Sequence, residues 1–223
     1  MRTATDVGCR GGDVFDVLVD GEGAAWVLIA DASAKGPLGA LHAEMVRRAF
    51  RAAVAFSSDP SFVLIRMNEI RFDLPTRDIQ AYFASAFVGR IAADGRELAY
   101  ASAGHDLALI FEGCAHHHLA PTGPVLGILP IADHKTCTVQ FGPASLLVLA
   151  TDGITEARCA LEPVFEFGTT GLVRAVLQPG SLSSTADDIA RSADAFAQKN
   201  FHDDATIAVI KRRNRGYAAR MLR

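Results

Sequence analysis

The sequence predicts an α+β fold with largely antiparallel sheets. Three observations lead there: strand-like apolar runs outnumber helical ones, most of them follow one another through short turns, and the helical periodicities come as one pair in the first third and another near the end, not alternating with strands. At 223 residues, half of them apolar, the chain can build one sizeable core and is short for two. Residues 1–212 are therefore expected to form a single domain, with 213–223 as a basic, disordered tail.

Residues 14–19 and 25–30 read as strands joined by the turn-forming Asp20-Gly21-Glu22-Gly23, a hairpin. From Gly36 the period changes. Leu41, Met45, Val46, Ala49, Phe50 and Val54 recur at three- and four-residue spacing and predict an amphipathic helix ending near Ser57. A second helix is expected from Pro60, with Asp59 as its N-cap. Strands return at 82–91, 98–103, 107–111, 136–141 and 146–150, with a turn at Asp94-Gly95. Helical spacing reappears at 171–177 and in Ile189, Ala193, Phe196 and Ala197, and 206–210 is the expected last strand.

The formal net charge of −3 and the lack of a basic stripe outside the tail (Lys211, Arg212, Arg213, Arg215, Arg220, Arg223) exclude nucleic acid as an expected partner. Cys9, Cys114, Cys137 and Cys159 are scattered without C-x-x-C spacing, which suggests reduced thiols and neither a zinc site nor a disulfide framework. No apolar run approaches the ~18 residues of a bilayer span, and no signal pattern opens the chain. A cytoplasmic protein without a membrane partner is expected, and its oligomeric state is open.

The residues that carry chemistry are aspartates at the ends of apolar runs. Asp31 follows Trp26-Val27-Leu28-Ile29-Ala30, Asp152 follows the run 146–151, Asp203 stands just before the run 205–210, and Asp13 follows Gly11-Gly12 at the start of a strand. A carboxylate at the rim of a buried strand loses hydration, so it must meet a cation, be hydrogen-bonded, or take up a proton. Such oxygen ligands suit Mg²⁺ or Mn²⁺. Taken singly, each Asp is an ordinary turn residue.

Their surroundings make an ordered series: Gly11-Gly12-Asp13-Val14-Phe15-Asp16, Asp31-Ala32-Ser33-Ala34-Lys35-Gly36, Ala103-Gly104-His105, the run 121–127 (PTGPVLG), Thr151-Asp152-Gly153-Ile154-Thr155-Glu156 and Asp203-Asp204-Ala205-Thr206. From about residue 11 to residue 210 this series resembles the SpoIIE-like branch of the PPM-type metal-dependent serine/threonine phosphatases of bacterial partner-switching pathways. The resemblance implies a sandwich of two antiparallel β-sheets flanked by helix pairs, in α-β-β-α layers. It further implies a centre of two Mn²⁺ or Mg²⁺ ions held by Asp13, Asp31, Asp152, Asp203 and the backbone carbonyl of Ala32, with Asp31 bridging. The implied reaction is hydrolysis of phosphoserine or phosphothreonine on a regulatory protein, such as an anti-sigma-factor antagonist, by a metal-activated water. No cysteine sits in a Cys-x5-Arg phosphate loop.

Asp16 and Glu156 are candidates for supporting the ligands, although exposed carboxylates near turns usually do nothing specific. His105 is a candidate general acid with a structural role the stronger expectation, because it follows Gly104 in a turn. His116-His117-His118 resembles a metal tract, but consecutive strand residues point to opposite faces, so a loop or edge is expected. Lys35 and Arg10 could grip phosphate or simply be solvated. The chain departs from the family pattern at Ala34, where glycine is usual, at Val14, where an aromatic is usual, and at Asp106-Leu107, where Asn-Pro is common. If position 34 needs positive φ, alanine costs about 1 kcal/mol there.

Two alternatives stand beside the phosphatase reading. One is a phosphatase-fold binding module that sequesters a partner with little catalysis, and the other is a metallohydrolase of small phosphoesters. Only ten residues precede the first motif, which leaves no room for a sensor domain; the chain is expected to be either a stand-alone phosphatase or a fragment of a longer protein, with control from a partner or from expression.

Overall fold

A computed structural model describes residues 11–72, 83–159, 162, 164–178, 182–198, 204–213 and 216–222. In chain order its elements are β1 (Asp13–Val19), β2 (Ala25–Ala32), α1 (Gly36–Val54), α2 (Pro60–Phe72), β3 (Ala84–Ile91), β4 (Glu97–Ala103), β5 (Ala108–Glu112), β6 (Ala115–His118), β7 (Cys137–Gln140), β8 (Ser145–Ala150), α3 (Asp152–Thr155), α4 (Gly168–Val176), α5 (Leu182–Ala197), β9 (Ile207–Arg213) and β10 (Gly216–Leu222). Two five-stranded sheets result, of order β1-β2-β3-β4-β7 and β10-β9-β8-β5-β6, and every strand pair in them is antiparallel. The α+β expectation holds. Contacts divide the chain into two units, one per sheet.

In the first unit, the β1–β2 hairpin is set by Asp20. Its Oδ1 accepts the backbone N–H groups of Glu22 (3.0 Å) and Ala24 (2.9 Å), while Oδ2 accepts the indole N–H of Trp26 (2.9 Å) and the Arg90 guanidinium (3.2 Å). Burial opposes ionisation of this carboxyl, yet those hydrogen bonds outweigh it and hold Asp20 below its ordinary pKa. A one-residue slip would turn every side chain of a strand to the other face, so a turn fixed this firmly also fixes what lies opposite what at the far end. Trp26, Leu28 and Ala30 on one face of β2 pack with Val88 of β3, Phe50 of α1 and Leu64 and Met67 of α2. Val27 and Ile29 on the other face are equally buried, which is why the strand reads as an unbroken apolar run.

Helix α1 turns Ala49 and Phe50 inward as its spacing suggests, with Val46 and Val54 packed beside them, but its first turns depart from that face. Gly39, His42 and Ala43 are buried while Leu41 is exposed, because a Cβ at Gly39 would lie 2.2 Å from the Ala34 carbonyl oxygen and only small residues fit that crossing. Its far end is pinned by Arg51, which donates to both oxygens of Asp16 on β1 at 2.5 and 2.8 Å. Asp59 opens α2 by accepting the Ser61 N–H at 3.1 Å and the hydroxyl of Thr136, the residue just before β7, which ties that helix start to the entrance of the strand.

In the second unit, Leu172 and Ala175 of α4 and Ala186, Ile189, Ala193 and Ala197 of α5 are buried, and most of them pack on Val148 and Ala150 of β8 and Ile207 and Val209 of β9. Three elements depart from expectation. The short α3 and the edge strand β6 were too brief to carry a period, and β10, paired along its length with β9, forms within the stretch expected as a tail. Among the described residues no helix is long and apolar enough to cross a membrane.

The Asp16–Arg51 pair is lopsided, with the carboxylate 1% exposed and the guanidinium side chain 48%. Arg51→Ala strands a buried charge, whereas Asp16→Asn leaves an arginine that water can reach. Urea unfolding should show a loss of about 3 kcal/mol for the former and a smaller loss for the latter.

His134 is buried, and among the described residues neither ring nitrogen has a hydrogen-bond partner. Burial lowers its pKa below the ordinary imidazole value and the neighbouring Asp133 charge only partly opposes this. The unfolded chain therefore takes up a proton just below pH ~6.5 that the folded chain does not, so stability is complete above that pH and falls as pH drops toward the folded value. Unfolding at pH 7.5 and 5.5 should show a smaller acid loss in His134→Leu than in the wild type, and equal losses would contradict the assignment.

Candidate metal centre

Asp13 opens β1 and Asp31 lies one residue before the end of β2, and the register sets them directly opposite each other. The next pair outward, Gly12 and Ala32, is joined by the Ala32 N–H donating to the Gly12 carbonyl at 3.0 Å. Alternation along an antiparallel ladder then makes Asp13–Asp31 a non-hydrogen-bonded pair, the type in which side chains stand closest, with Cβ atoms roughly 4.5–5.5 Å apart. Asp13 is buried and Asp31 half-buried.

Gly12 has no room for a side chain. A Cβ there would lie 2.4 Å from the Ala32 carbonyl oxygen and 3.1 Å from Oδ1 of Asp31, so the carboxylate and that carbonyl both face bare backbone. Ala34 sits in the same tight arrangement, buried, and its φ is not positive; Gly36 (φ 65°) makes the left-handed turn. The strain expected of alanine at 34 therefore does not arise. Lys35 is exposed at the N-cap of α1.

Asp152 belongs to the second unit, where it is the exposed first residue of α3. Buried Thr151 before it is locked to the start of β9: its N–H donates to the Thr206 carbonyl at 3.0 Å, and its hydroxyl accepts the Thr206 N–H at 2.9 Å. A Cβ at Gly153 would stand 1.9 Å from the Asp204 carbonyl oxygen, so only glycine lets the Asp152 turn lie against that segment. Asp203 and Arg10 lie outside the described residues.

The first unit thus offers two facing carboxylates and a backbone carbonyl, an all-oxygen donor set of the kind Mg²⁺ and Mn²⁺ take, over a floor without side chains. These residues fit such an ion. Among the described residues no three His, Cys, Asp or Glu side chains come together as a ready-made ligand group.

The family model described as stage II sporulation protein E (SpoIIE) matches residues 21–213. The chain belongs to the SpoIIE family. It is 26% identical over 208 residues to the phosphoserine phosphatase RsbU of Bacillus subtilis, covering 91% of this chain and 59% of RsbU. It is 34% identical over 87 residues to Protein IcfG of Synechocystis, covering 38% of this chain and 14% of IcfG. The chain therefore spans less than two thirds of either relative. In fold it matches the SiaA-PP2C domain of Pseudomonas aeruginosa (TM-score 0.78, 23% identity, 91% of this chain and 81% of that one) and RsbX in complex with magnesium (TM-score 0.64, 17% identity, 92% and 88%).

The remaining motif residues of this SpoIIE-family chain have structural work. Asp16 is the Arg51 partner, and Glu156 caps α3 through its N–H to the Asp152 carbonyl (2.7 Å) with an exposed side chain. His105 is buried. Its N–H donates to Ser102 Oγ at 3.2 Å, Ser102 Oγ donates to the His105 carbonyl at 2.8 Å, and Ser85 Oγ lies 3.0 Å from its Nδ1. Thr122 and Gly123 donate their N–H groups to the Ser102 carbonyl, so the Ala103-Gly104-His105 and PTGPVLG motifs form one lock. His116, His117 and His118 lie exposed on the edge strand β6, with His116 stacked on Phe111. Ser85 and Ser102 went unnoticed in the sequence; a lone serine between Ala84 and Ala86 in a small-residue strand start was the available signal.

Gly153→Ala should cost about 1–3 kcal/mol in urea unfolding, because the added Cβ meets backbone that must shift. Gly21→Ala, which meets nothing within 4 Å, is the control and should be near neutral.

Proposed function

We propose that this chain is a protein phosphatase that hydrolyses phosphoserine or phosphothreonine on a regulatory protein, with Mn²⁺ or Mg²⁺ held by Asp13, Asp31, the Ala32 carbonyl, Asp152 and Asp203. The observation that carries the reading is Asp13 facing Asp31 beside the bare backbone of Gly12. Membership of the SpoIIE family, the name of RsbU as a phosphoserine phosphatase and the magnesium complex of RsbX support it.

When bound, the cations would lower the pKa of a water and neutralise charge on the phosphoryl oxygens. The protein's own part is positional. The Asp20 turn keeps Asp13 opposite Asp31, Gly12 keeps side chains off the floor, and Gly153 with the Thr151–Thr206 lock holds the Asp152 turn against the β9 entrance. The phosphate donor is taken to be an anti-sigma-factor antagonist by family analogy. The binding-module alternative drew its support from Ala34, whose backbone is unstrained.

Purified protein should hydrolyse p-nitrophenyl phosphate on addition of Mn²⁺. Asp31→Asn and Asp152→Asn should each cut kcat/KM by more than the roughly 100-fold that loss of an outer hydrogen-bond partner costs, with circular dichroism unchanged. Activity surviving both substitutions would rule out the assignment, and a phosphopeptide preferred over small phosphates would support the protein substrate.

A further inference from the structure

Asp31 has a second neighbour across the sheet. On the side away from Asp13 its register partner is Ser85 of β3. The bond from the Ser33 N–H to the Phe83 carbonyl (2.9 Å) makes 33–83 a hydrogen-bonded pair, so two steps along the ladder Asp31–Ser85 is one as well. Directly opposed residues share a face, so Asp13, Asp31 and Ser85 form one polar row across three strands. The residues flanking Ser85, Ala84 and Ala86, are buried and apolar, and Ser85 itself is half-buried.

The Ser85 hydroxyl is tied at its outer side to His105, whose Nδ1 lies 3.0 Å away. His105 is 3% exposed, and its backbone is gripped twice by Ser102, itself fully buried. The preceding Gly104 has φ 66°, and its N–H donates to the Gly123 carbonyl at 3.1 Å. The imidazole is thus a fixed post at the end of the row. If Nδ1 carries the ring proton it donates to Ser85 Oγ, which leaves the single hydroxyl proton to be donated onward. The side chain opposite it on the same face is the Asp31 carboxylate.

We propose that Ser85 and His105 are a positioning pair: the hydroxyl, oriented by His105, holds the Asp31 carboxylate from the side opposite Asp13 and so sets the affinity of the site for a divalent cation. The inference rests on the metal-centre reading above. Neither residue touches the phosphoryl group; both act through Asp31. Carboxylates that ligate metals are commonly hydrogen-bonded in turn, and loss of such a partner weakens metal binding by about 10–100-fold.

The test is Mn²⁺ binding to the full chain by isothermal titration calorimetry, with melting temperature followed in parallel. Ser85→Ala is expected to weaken Mn²⁺ binding at least about 10-fold while leaving the melting temperature of the metal-free protein nearly unchanged. Ser85→Thr, which keeps the hydroxyl, should retain affinity. His105→Asn, whose amide can sit where Nδ1 does, should bind more tightly than His105→Leu. A purely structural role would lower the melting temperature without changing affinity. Ser85→Ala binding Mn²⁺ as the wild type does, in a protein whose Asp31→Asn variant does not bind, would overturn this inference alone. Absence of Mn²⁺ binding by the wild type would overturn the metal-centre reading and this inference with it.

Discussion

Asp13 and Asp31 stand opposite each other at the closest type of cross-strand pair, with Cβ atoms roughly 4.5–5.5 Å apart, and like charges set directly opposite each other on a sheet are destabilising. A fold with a total stability of roughly 5–15 kcal/mol does not carry such a term idly. Much of the first unit is explicable as the means of keeping that opposition in register. Asp20 fixes the hairpin from the far end, Trp26 and Arg90 fix Asp20, and the apolar ladder of β2 transmits the register along seven residue pairs to the carboxylates.

The second consequence is crowding around the pair. Gly12 and Gly39 are both required by contact, each facing a carbonyl oxygen of the 31–34 segment that a Cβ would strike. The helix α1 therefore starts close against the end of β2, and its inward face near that point is made of small residues and His42 in place of Leu41. In the second unit the same device recurs at Gly153, and the Thr151–Thr206 bonds play the part that the hairpin turn plays in the first. Among the glycines of the family motifs, Gly12 and Gly153 are places where backbone meets backbone, while Gly11, Gly36, Gly104 and Gly127 hold positive φ.

The long elements were legible because they carry their own period. Strands β1, β2, β4 and β8 and helices α1 and α2 fall within a few residues of the expectation from apolar spacing and turn chemistry, and the end-of-strand positions of Asp13 and Asp31 follow from the same pattern. What was illegible depends on pairing across distance. Asp16 meets Arg51 thirty-five residues on, so a residue weighed as a support for the ligands is a strut for α1. Ser85 acquires meaning only when the β2–β3 register is known. The four residues of α3 and of the edge strand β6 showed no period of their own, and β10 forms by pairing along its length with β9.

Ala34 bears most directly on the choice between an enzyme and a binding module. As a sequence feature it looked like a damaged ligand loop, the one departure close enough to Asp31 to suggest lost chemistry. The geometry removes that reason, since the left-handed turn is made two residues later by Gly36 and the alanine methyl is accommodated in the core. A protein that had ceased to bind cations would have no need to set like-charged side chains directly opposite each other, and the simplest substitution, Asp to Asn, would need no change in the backbone. Both aspartates are present, set opposite each other over a glycine floor. That combination weighs toward a working metal centre.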